Sequence, residues 1–325
     1  MERSRLERHK FLGACGMFRE SFRVITARKK LFAQITLALI LPLCALLLAQ
    51  STVTQLILLN TLKTDGGSRL DTDGNIPEYM ALLYNKYGWV VVLAIKVVYF
   101  TLVVIFSLLA TSAVVYMVAC VYISKDATFK KVMTVVPKVW LRLIVTFLWI
   151  FLVFVVYTLI FVGLLFLCLL FSRVIEIVLL VILVVAYVVG IVYITIVSEL
   201  AYVVSLLEDV YGRKALSRSK ALLKGKLWTV VGLFVLLSVC SGLVEFGFEV
   251  LVVLGLVHII ALKVLVGVVI WFLFAFVTLV GLVTFIVIYF VCKSYLHEDL
   301  DMAIIADHLN FYDESKYAQF EQSQV

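Results

Sequence analysis

The sequence has little charge and few of the residues that break helices or build reactive sites. Only 15% of its 325 residues are charged, and only three are proline. Its six cysteines form no CxxC pair, its four histidines are scattered, and it contains no HExxH, GxSxG or Walker sequence. We therefore expect no disulfide framework, no metal site, no cofactor and no enzymatic activity.

What the sequence has in excess is apolar residues, which make up 64% of the chain. They form six runs of about 29 residues or more, and about 20 are enough to cross the hydrocarbon of a bilayer. A run of this length without period-two alternation is typical of a membrane-spanning helix. The runs are residues 31–59, 89–123, 143–171, 177–207, 227–256 and 264–292. We predict an all-α integral membrane protein with a six-span domain over residues 31–292.

The basic residues predict the orientation of these spans. About 22 of the 28 Lys and Arg residues lie in residues 1–30, 124–142, 208–226 and 293–325, and about five lie in the opposite loops, which include the long loop 60–88. Cytoplasmic loops carry the excess of Lys and Arg. We expect a multi-pass protein of an endomembrane or the plasma membrane, with both termini cytoplasmic and a C-terminal tail, residues 293–325, that is acidic.

The segments before the odd-numbered spans share a pattern. Each is a basic amphipathic stretch that ends in Lys, an aliphatic residue and an aromatic residue, as at Lys30-Leu31-Phe32, Lys138-Val139-Trp140 and Lys226-Leu227-Trp228. This repeat predicts three hairpins of two spans, each preceded by a basic amphipathic cytoplasmic helix. In the alternative, these stretches are straight extensions of the spans that carry the usual positive flanks.

A basic amphipathic helix can lie among lipid head groups, where each cation near an anionic leaflet contributes about 1 kcal/mol. We expect an anionic cytoplasmic leaflet as the partner of these side chains, and no nucleic acid, because the chain has no soluble basic domain. The expected lipid-interface residues are Arg23, Arg28, Lys29, Lys30, Lys130, Lys131, Lys138, Arg218, Lys224 and Lys226.

Ionisable residues inside spans are the usual candidates for function in a membrane protein. Glu245 and Glu249 are spaced i, i+4 in the fifth span, and Lys96 lies at a similar depth in the second. We hypothesise an intramembrane polar cluster in which Lys96 pairs with one of these acids, and Glu199 faces the bundle interior. In the alternative, the side chains snorkel to the interface.

The tail contains Tyr317-Ala318-Gln319-Phe320, a tyrosine-x-x-bulky sequence. Sorting adaptors read such a sequence as an extended peptide, so Tyr317 and Phe320 form a candidate sorting motif for cytoplasmic adaptor proteins.

Two stretches resemble known membrane proteins. Residues 18–41, followed by Pro42, resemble a family of plant polytopic membrane proteins of unknown function. Residues 215–219 and 223–226 are similar to bacterial membrane proteins that include the membrane portion of some glycerophosphodiester phosphodiesterases. The resemblance implies the six-span layout and no catalytic residues.

We expect a non-enzymatic organiser, trafficking or regulatory component, and the alternative is a transporter or channel for a small or lipidic solute.

Overall fold

A computed structural model describes residues 13–50, 52, 78–123, 129–168, 173–208, 210–253 and 259–296. Over these ranges the secondary structure is helical, with no strand. The helices are α1 (Ala14–Ala27), α2 (Lys29–Gln50), α3 (Glu78–Tyr122), α4 (Phe129–Cys168), α5 (Arg173–Leu207), α6 (Arg213–Leu223), α7 (Leu227–Val253) and α8 (Ile260–Tyr295).

The prediction of six long apolar helices is confirmed. All helices except α1 and α6 contain an apolar stretch of 22 to 35 residues, long enough to cross a membrane. Two helices begin more than ten residues before their apolar runs: α3 starts at Glu78, inside the predicted loop 60–88, and α4 starts at Phe129. Hydropathy marks the part of a helix that suits the bilayer, whereas polar helix formers continue the same helix beyond it.

Two helices contain a π-helical turn. The turn Thr36–Ile40 in α2 ends two residues before Pro42, whose ring displaces the preceding turn and whose nitrogen cannot donate a hydrogen bond. The turn Glu249–Val253 ends α7 and has no proline. Wide turns of this kind occur often at functional positions, and the second one begins at Glu249, a residue of the predicted intramembrane polar cluster.

The chain divides into two compact units. Unit 1 comprises residues 1–35, 111–239 and 279–325, and unit 2 comprises residues 36–110 and 240–278. The core of unit 1 is apolar and tightly filled. Its largest fully buried side chains are Met17, Phe32, Ile35, Met117, Leu143, Ile196, Leu200, Leu222, Leu223, Leu233 and Tyr289.

Within unit 1, α4 and α5 pack antiparallel. The Tyr157 ring stacks on Tyr187, and its hydroxyl donates to the carbonyl of Ala186 at 3.2 Å. Phe161 stacks on the same Tyr187 ring, with 3.9 Å between the centroids. The outer faces of both helices carry exposed aliphatic side chains such as Leu159, which suits contact with lipid tails.

Within unit 2, long side chains tie α2 to two other helices. The indole nitrogen of Trp271 in α8 donates to the carbonyl of Leu41 at 3.0 Å. The hydroxyl of Tyr99 in α3 donates to the carbonyl of Leu46 at 2.8 Å. In an apolar medium such donors need a partner, and the α2 backbone supplies it.

The three predicted basic segments take two forms. α1 and α6 are separate short helices before α2 and α7. Their cytoplasmic position and the hairpin arrangement stay predictions. In the middle segment, residues 129–142 are part of the single helix α4, as in the straight-extension alternative.

Candidate functional site

A glycine that packs closely against an aromatic ring lies at each end of the short basic helix α6. Gly212 before it has a φ of +63°, and a Cβ there would lie 2.9 Å from Cδ1 of Trp149. Gly225 after it has a φ of +105°, and a Cβ there would lie 2.7 Å from Cε1 of Tyr295. Both turns therefore require glycine, for backbone conformation and for space. They separate α6 from the spans on either side.

Glu208, one residue after α5, joins α6 to α8. Its Oε1 accepts hydrogen bonds from Nζ of Lys293 at 2.8 Å and from the hydroxyl of Tyr289 at 2.9 Å. Its Oε2 accepts from Nε of Arg218 in α6 at 3.2 Å. Lys293 also donates to the Tyr289 hydroxyl at 3.2 Å. We call these four residues the Glu208 junction.

The Glu208 junction holds a charged carboxylate in a mostly buried place. The side chains of Glu208 and Lys293 are only 15% and 14% exposed. Burial by itself raises the pKa of Glu208, but the hydrogen bonds and charges of Lys293, Tyr289 and Arg218 outweigh it, and the pKa lies below its ordinary value of 4.5. The carboxylate is therefore ionised at neutral pH, and both of its oxygens bond to donors of the same chain.

A second buried polar group holds the start of α6. The hydroxyls of Thr146 in α4 and Ser205 in α5 lie 2.8 Å apart, and the backbone N–H of Gly212 donates to the Thr146 hydroxyl at 3.0 Å. Further along α6, the Ser219 hydroxyl lies 3.1 Å from the carbonyl of Val197. These bonds satisfy polar atoms that would otherwise be buried without partners.

The faces of α6 are sharply divided. Ala215, Ser219, Leu222 and Leu223 are buried in unit 1. The apolar side of this predicted interfacial helix thus packs on protein, mainly on α5 and also on α4. The opposite side exposes Arg213, Lys214, Ser217, Lys220 and Lys224, and Trp228 just beyond is 84% exposed. We call Arg213, Lys214, Lys220, Lys224 and Trp228 the α6 surface.

Helix α1 has a similar division. Met17, Ser21 and Val24 recur at i, i+4 and i+7 and are buried in unit 1, where the Ser21 hydroxyl accepts a hydrogen bond from Thr284 of α8 at 3.1 Å. Cys15, Phe18, Phe22 and Ile25 recur at i+3 and i+4 spacing and form the apolar face expected to meet lipid. Their side chains are exposed or half-buried. The helix therefore keeps that aromatic face available while a different face binds the protein.

The predicted intramembrane cluster lies in two places. Glu199 is half-buried in α5 in unit 1, whereas Lys96 in α3 and Glu245 and Glu249 in α7 are half-buried in unit 2. Glu249 is the first residue of the second π-helical turn. The ion pairs that described residues form with one another involve Glu20 and Glu208, and a Lys96 pair with Glu245 or Glu249 stays a prediction.

The predicted lipid-interface residues have different surroundings. Lys29, Lys30 and Lys224 are exposed, and Arg23 is exposed with its guanidinium 3.6 Å from Glu20. Arg28, the C-cap of α1, is half-buried. Arg218 belongs to the Glu208 junction, so its role is partly internal. Lys226 lies over the Tyr295 ring at 5.3 Å, and burial lowers its pKa, opposed by the nearby Cys292.

The remaining predicted residues lie outside what the structure describes in full. Lys130, Lys131 and Lys138 are in α4, but the described part of the chain does not include their side chains. Tyr317 and Phe320 lie outside the described ranges, as does most of loop 60–88. Within the described ranges, no three His, Cys, Asp or Glu side chains form a group that could hold a metal ion.

Sequence reasoning missed the Glu208 junction. In the sequence, Glu208 is simply the first residue after the apolar run 177–207, and Lys293 is the first residue after the run 264–292. The one signal available is that Glu208 is an acid among the six cations of residues 208–226. That signal suggests a local pair, but Tyr289 and Lys293 are 81 and 85 residues away along the chain.

The chain was compared with known proteins. No curated protein and no solved structure matches it. The whole of residues 1–325 matches one family, whose description is "Domain of unknown function (DUF8558)". The chain therefore belongs to the DUF8558 family.

Proposed function

We propose that the protein is a non-enzymatic, multi-pass membrane component that organises or regulates partners at the cytoplasmic face. Six spans form three hairpins, both termini are cytoplasmic, and the α6 surface faces an anionic leaflet and adaptor proteins. The excess of Lys and Arg near α1, α6 and the 124–142 segment supports this orientation.

The observation that carries the proposal is how firmly α6 is held. The Glu208 junction, the Ser219 bond and the two glycine turns fix its buried face, so the cations of the α6 surface stay on the opposite, exposed side. A preorganised surface loses less entropy on binding than a mobile basic tail. The polar groups of this region bond within the chain, which suits a surface that binds partners rather than one that performs chemistry.

The chemistry of the α6 surface suits anionic head groups. Each Lys or Arg near an anionic leaflet contributes about 1 kcal/mol, and Trp is enriched where head groups meet hydrocarbon. Trp228 follows the last of the α6 cations and is largely exposed. The candidate sorting motif at Tyr317 and Phe320 adds a way to recruit adaptors from the same side of the membrane.

The three-unit layout also supports kinship with the plant and bacterial membrane proteins that residues 18–41 and 215–226 resemble. In some of those bacterial proteins the membrane portion accompanies a soluble phosphodiesterase domain. We propose the shared layout, and no phosphodiesterase activity, for this chain.

Proximity labelling from the C-terminal tail in native cells tests this function. The test variant replaces three cations of the α6 surface, Lys214→Gln, Lys220→Gln and Lys224→Gln together, and the matched control replaces the same three with Arg. We expect the test variant to lose a defined set of labelled neighbours that the wild type and the Arg control share. Identical sets for all three proteins would contradict the proposal.

One observation favours the alternative, a transporter or channel. Glu249 opens a π-helical turn and Glu245 lies one helical turn before it, so a half-buried acid coincides with a locally widened helix. Purified protein in vesicles containing a pH-sensitive dye would then conduct protons under a potassium diffusion potential. Glu249→Gln would abolish the flux and Glu20→Gln, outside the spans, would not. Equal dye signals from empty and loaded vesicles would exclude proton flux.

A further inference from the structure

Unit 2 contains a groove of about 460 Å³ between α2, α7 and α8. We call it the Trp271 groove. Its lining includes Ala49, Thr52, Val252, Lys263, Gly267 and Trp271. We infer that it is a specific site for one acyl chain of an anionic glycerophospholipid, whose phosphate group binds Lys263.

The walls of the groove suit a hydrocarbon chain. Apart from Lys263, two of its lining residues, Thr52 and Trp271, carry polar side-chain atoms, and both are hydrogen-bonded within the protein. The Thr52 hydroxyl donates to the Leu48 carbonyl at 3.1 Å, and the Trp271 indole donates to the Leu41 carbonyl at 3.0 Å. An occupant therefore meets carbon atoms along the groove and needs no hydrogen bonds there.

The charge of the groove lies at one end. Lys263 is its one charged lining residue in the described part of the chain, and it is the third residue of the apolar stretch of α8. Val252 is likewise the second-last residue of α7, and Thr52 lies two residues beyond the last residue of α2. Trp271 lies eight residues further along α8, which is about 12 Å deeper. A phospholipid has the same polarity, with its phosphate at the interface and its chain in the hydrocarbon.

The space suits a narrow chain. A helix is about 10 Å across, so a 12 Å length of one has a volume of about 900 Å³, twice that of the groove, and could enter it only in part. Gly267 lies in the wall of the groove, where a Cβ would make an ordinary contact of 3.7 Å with Cγ2 of Val252. A methyl group therefore fits, whereas a larger side chain would occupy the groove.

A photoactivatable phosphatidic acid with a diazirine in its acyl chain tests the inference in vesicles containing the full chain. The comparison probe is the phosphatidylcholine with the same acyl chain. We expect adducts concentrated on residues 45–52, 248–252 and 264–271, at least threefold more with phosphatidic acid. Adducts spread evenly over the lipid-facing surface, or equal labelling by the two probes, would overturn the inference.

Variants separate the groove from its charge. Gly267→Leu should remove the groove adducts, and Gly281→Leu, in the same helix where a Cβ meets no atom within 4 Å, should keep them. Ala49→Leu repeats the test at another wall if Gly267→Leu does not fold. Lys263→Gln should remove the preference for phosphatidic acid, and Lys263→Arg should retain it. Groove labelling unchanged by Gly267→Leu and Ala49→Leu would contradict the site.

The inference rests on the proposed membrane insertion, and the same experiment distinguishes the two. General labelling of the exposed faces of α4 and α5 reports insertion, whether or not the groove is labelled. No adducts on α4 and α5 would overturn the insertion as well as the groove.

Discussion

Lys293 and Glu208 form an ion pair across 85 residues of chain, with 2.8 Å between Nζ and Oε1. The pair connects the end of α8 to the residue that follows α5, and Arg218 on the other carboxylate oxygen adds α6. The three elements therefore meet on one carboxylate. The energetics of this junction lead to the first two predictions.

Glu208→Gln should lower the free energy of unfolding by about 2–3 kcal/mol, because Lys293 and Arg218 lose the charge that compensates their burial. Chemical unfolding in detergent micelles, followed by tryptophan fluorescence, measures the change. Arg23→Gln is the matched control, since the Arg23 side chain is 66% exposed and its guanidinium lies 3.6 Å from the Glu20 carboxylate, farther than in the junction. Its effect should stay within about 0.5 kcal/mol. Equal effects of the two substitutions would contradict a buried junction.

The junction should also make stability depend on pH in the acid range. The pKa of Glu208 is lower in the folded protein than its ordinary 4.5. Its stabilising contribution is therefore fully present above pH 4.5 and is lost as the pH falls through the folded-state value. Unfolding curves between about pH 6 and about pH 3 should show a decline in the wild type that is smaller in Glu208→Gln. Parallel declines in both proteins would assign the acid sensitivity to other carboxyls.

Thr146→Val should destabilise the protein by about 1–2 kcal/mol, because Ser205 and the N–H of Gly212 lose a buried partner. Thr101→Val is the control, since its exposed hydroxyl bonds only to the Val97 carbonyl one turn away in its own helix. Thermal unfolding in micelles compares them. A Thr101→Val effect as large as that of Thr146→Val would show that the interhelical bonds contribute little.

Replacing glycine by alanine should lower the stability at Gly212 but not at Gly232. Gly212→Ala puts a side chain at a φ of +63°, which costs about 1–3 kcal/mol, and also places its Cβ 2.9 Å from the Trp149 ring. Gly232→Ala in α7 meets no atom within 4 Å and should be neutral or stabilise by up to about 1 kcal/mol. Thermal midpoints measure both. A Gly212→Ala protein as stable as the wild type would remove the argument that this turn fixes α6.

The spans could be predicted from sequence because each is a long local signal. The apolar run 177–207 coincides with a described span, Ile177–Leu207, since both are defined by side-chain hydropathy over consecutive residues. Helix starts at Glu78 and Phe129 could not be predicted in this way, because the hydropathy falls where the sequence becomes more polar although the helix continues.

The candidate site could be predicted only in part. The basic character of α6 is a property of consecutive residues and was visible. Which cations in and next to α6 stay exposed could not be predicted. Arg218 contacts Glu208 and Lys226 lies over Tyr295, and only the folded structure brings these residues together. The Trp271 groove likewise depends on how α2, α7 and α8 pack, which no single stretch of sequence encodes.

The central claim is that the chain crosses a membrane with the α6 surface on the cytoplasmic side. Labelling of single cysteines by a membrane-impermeant maleimide in sealed vesicles tests it directly, in a chain whose six native cysteines are replaced. Lys224→Cys and Ile259→Cys are suitable positions, because both are exposed and α7 lies between them. We expect Lys224→Cys to react only from the cytoplasmic side and Ile259→Cys only from the opposite side. Reaction of both from the same side would contradict it.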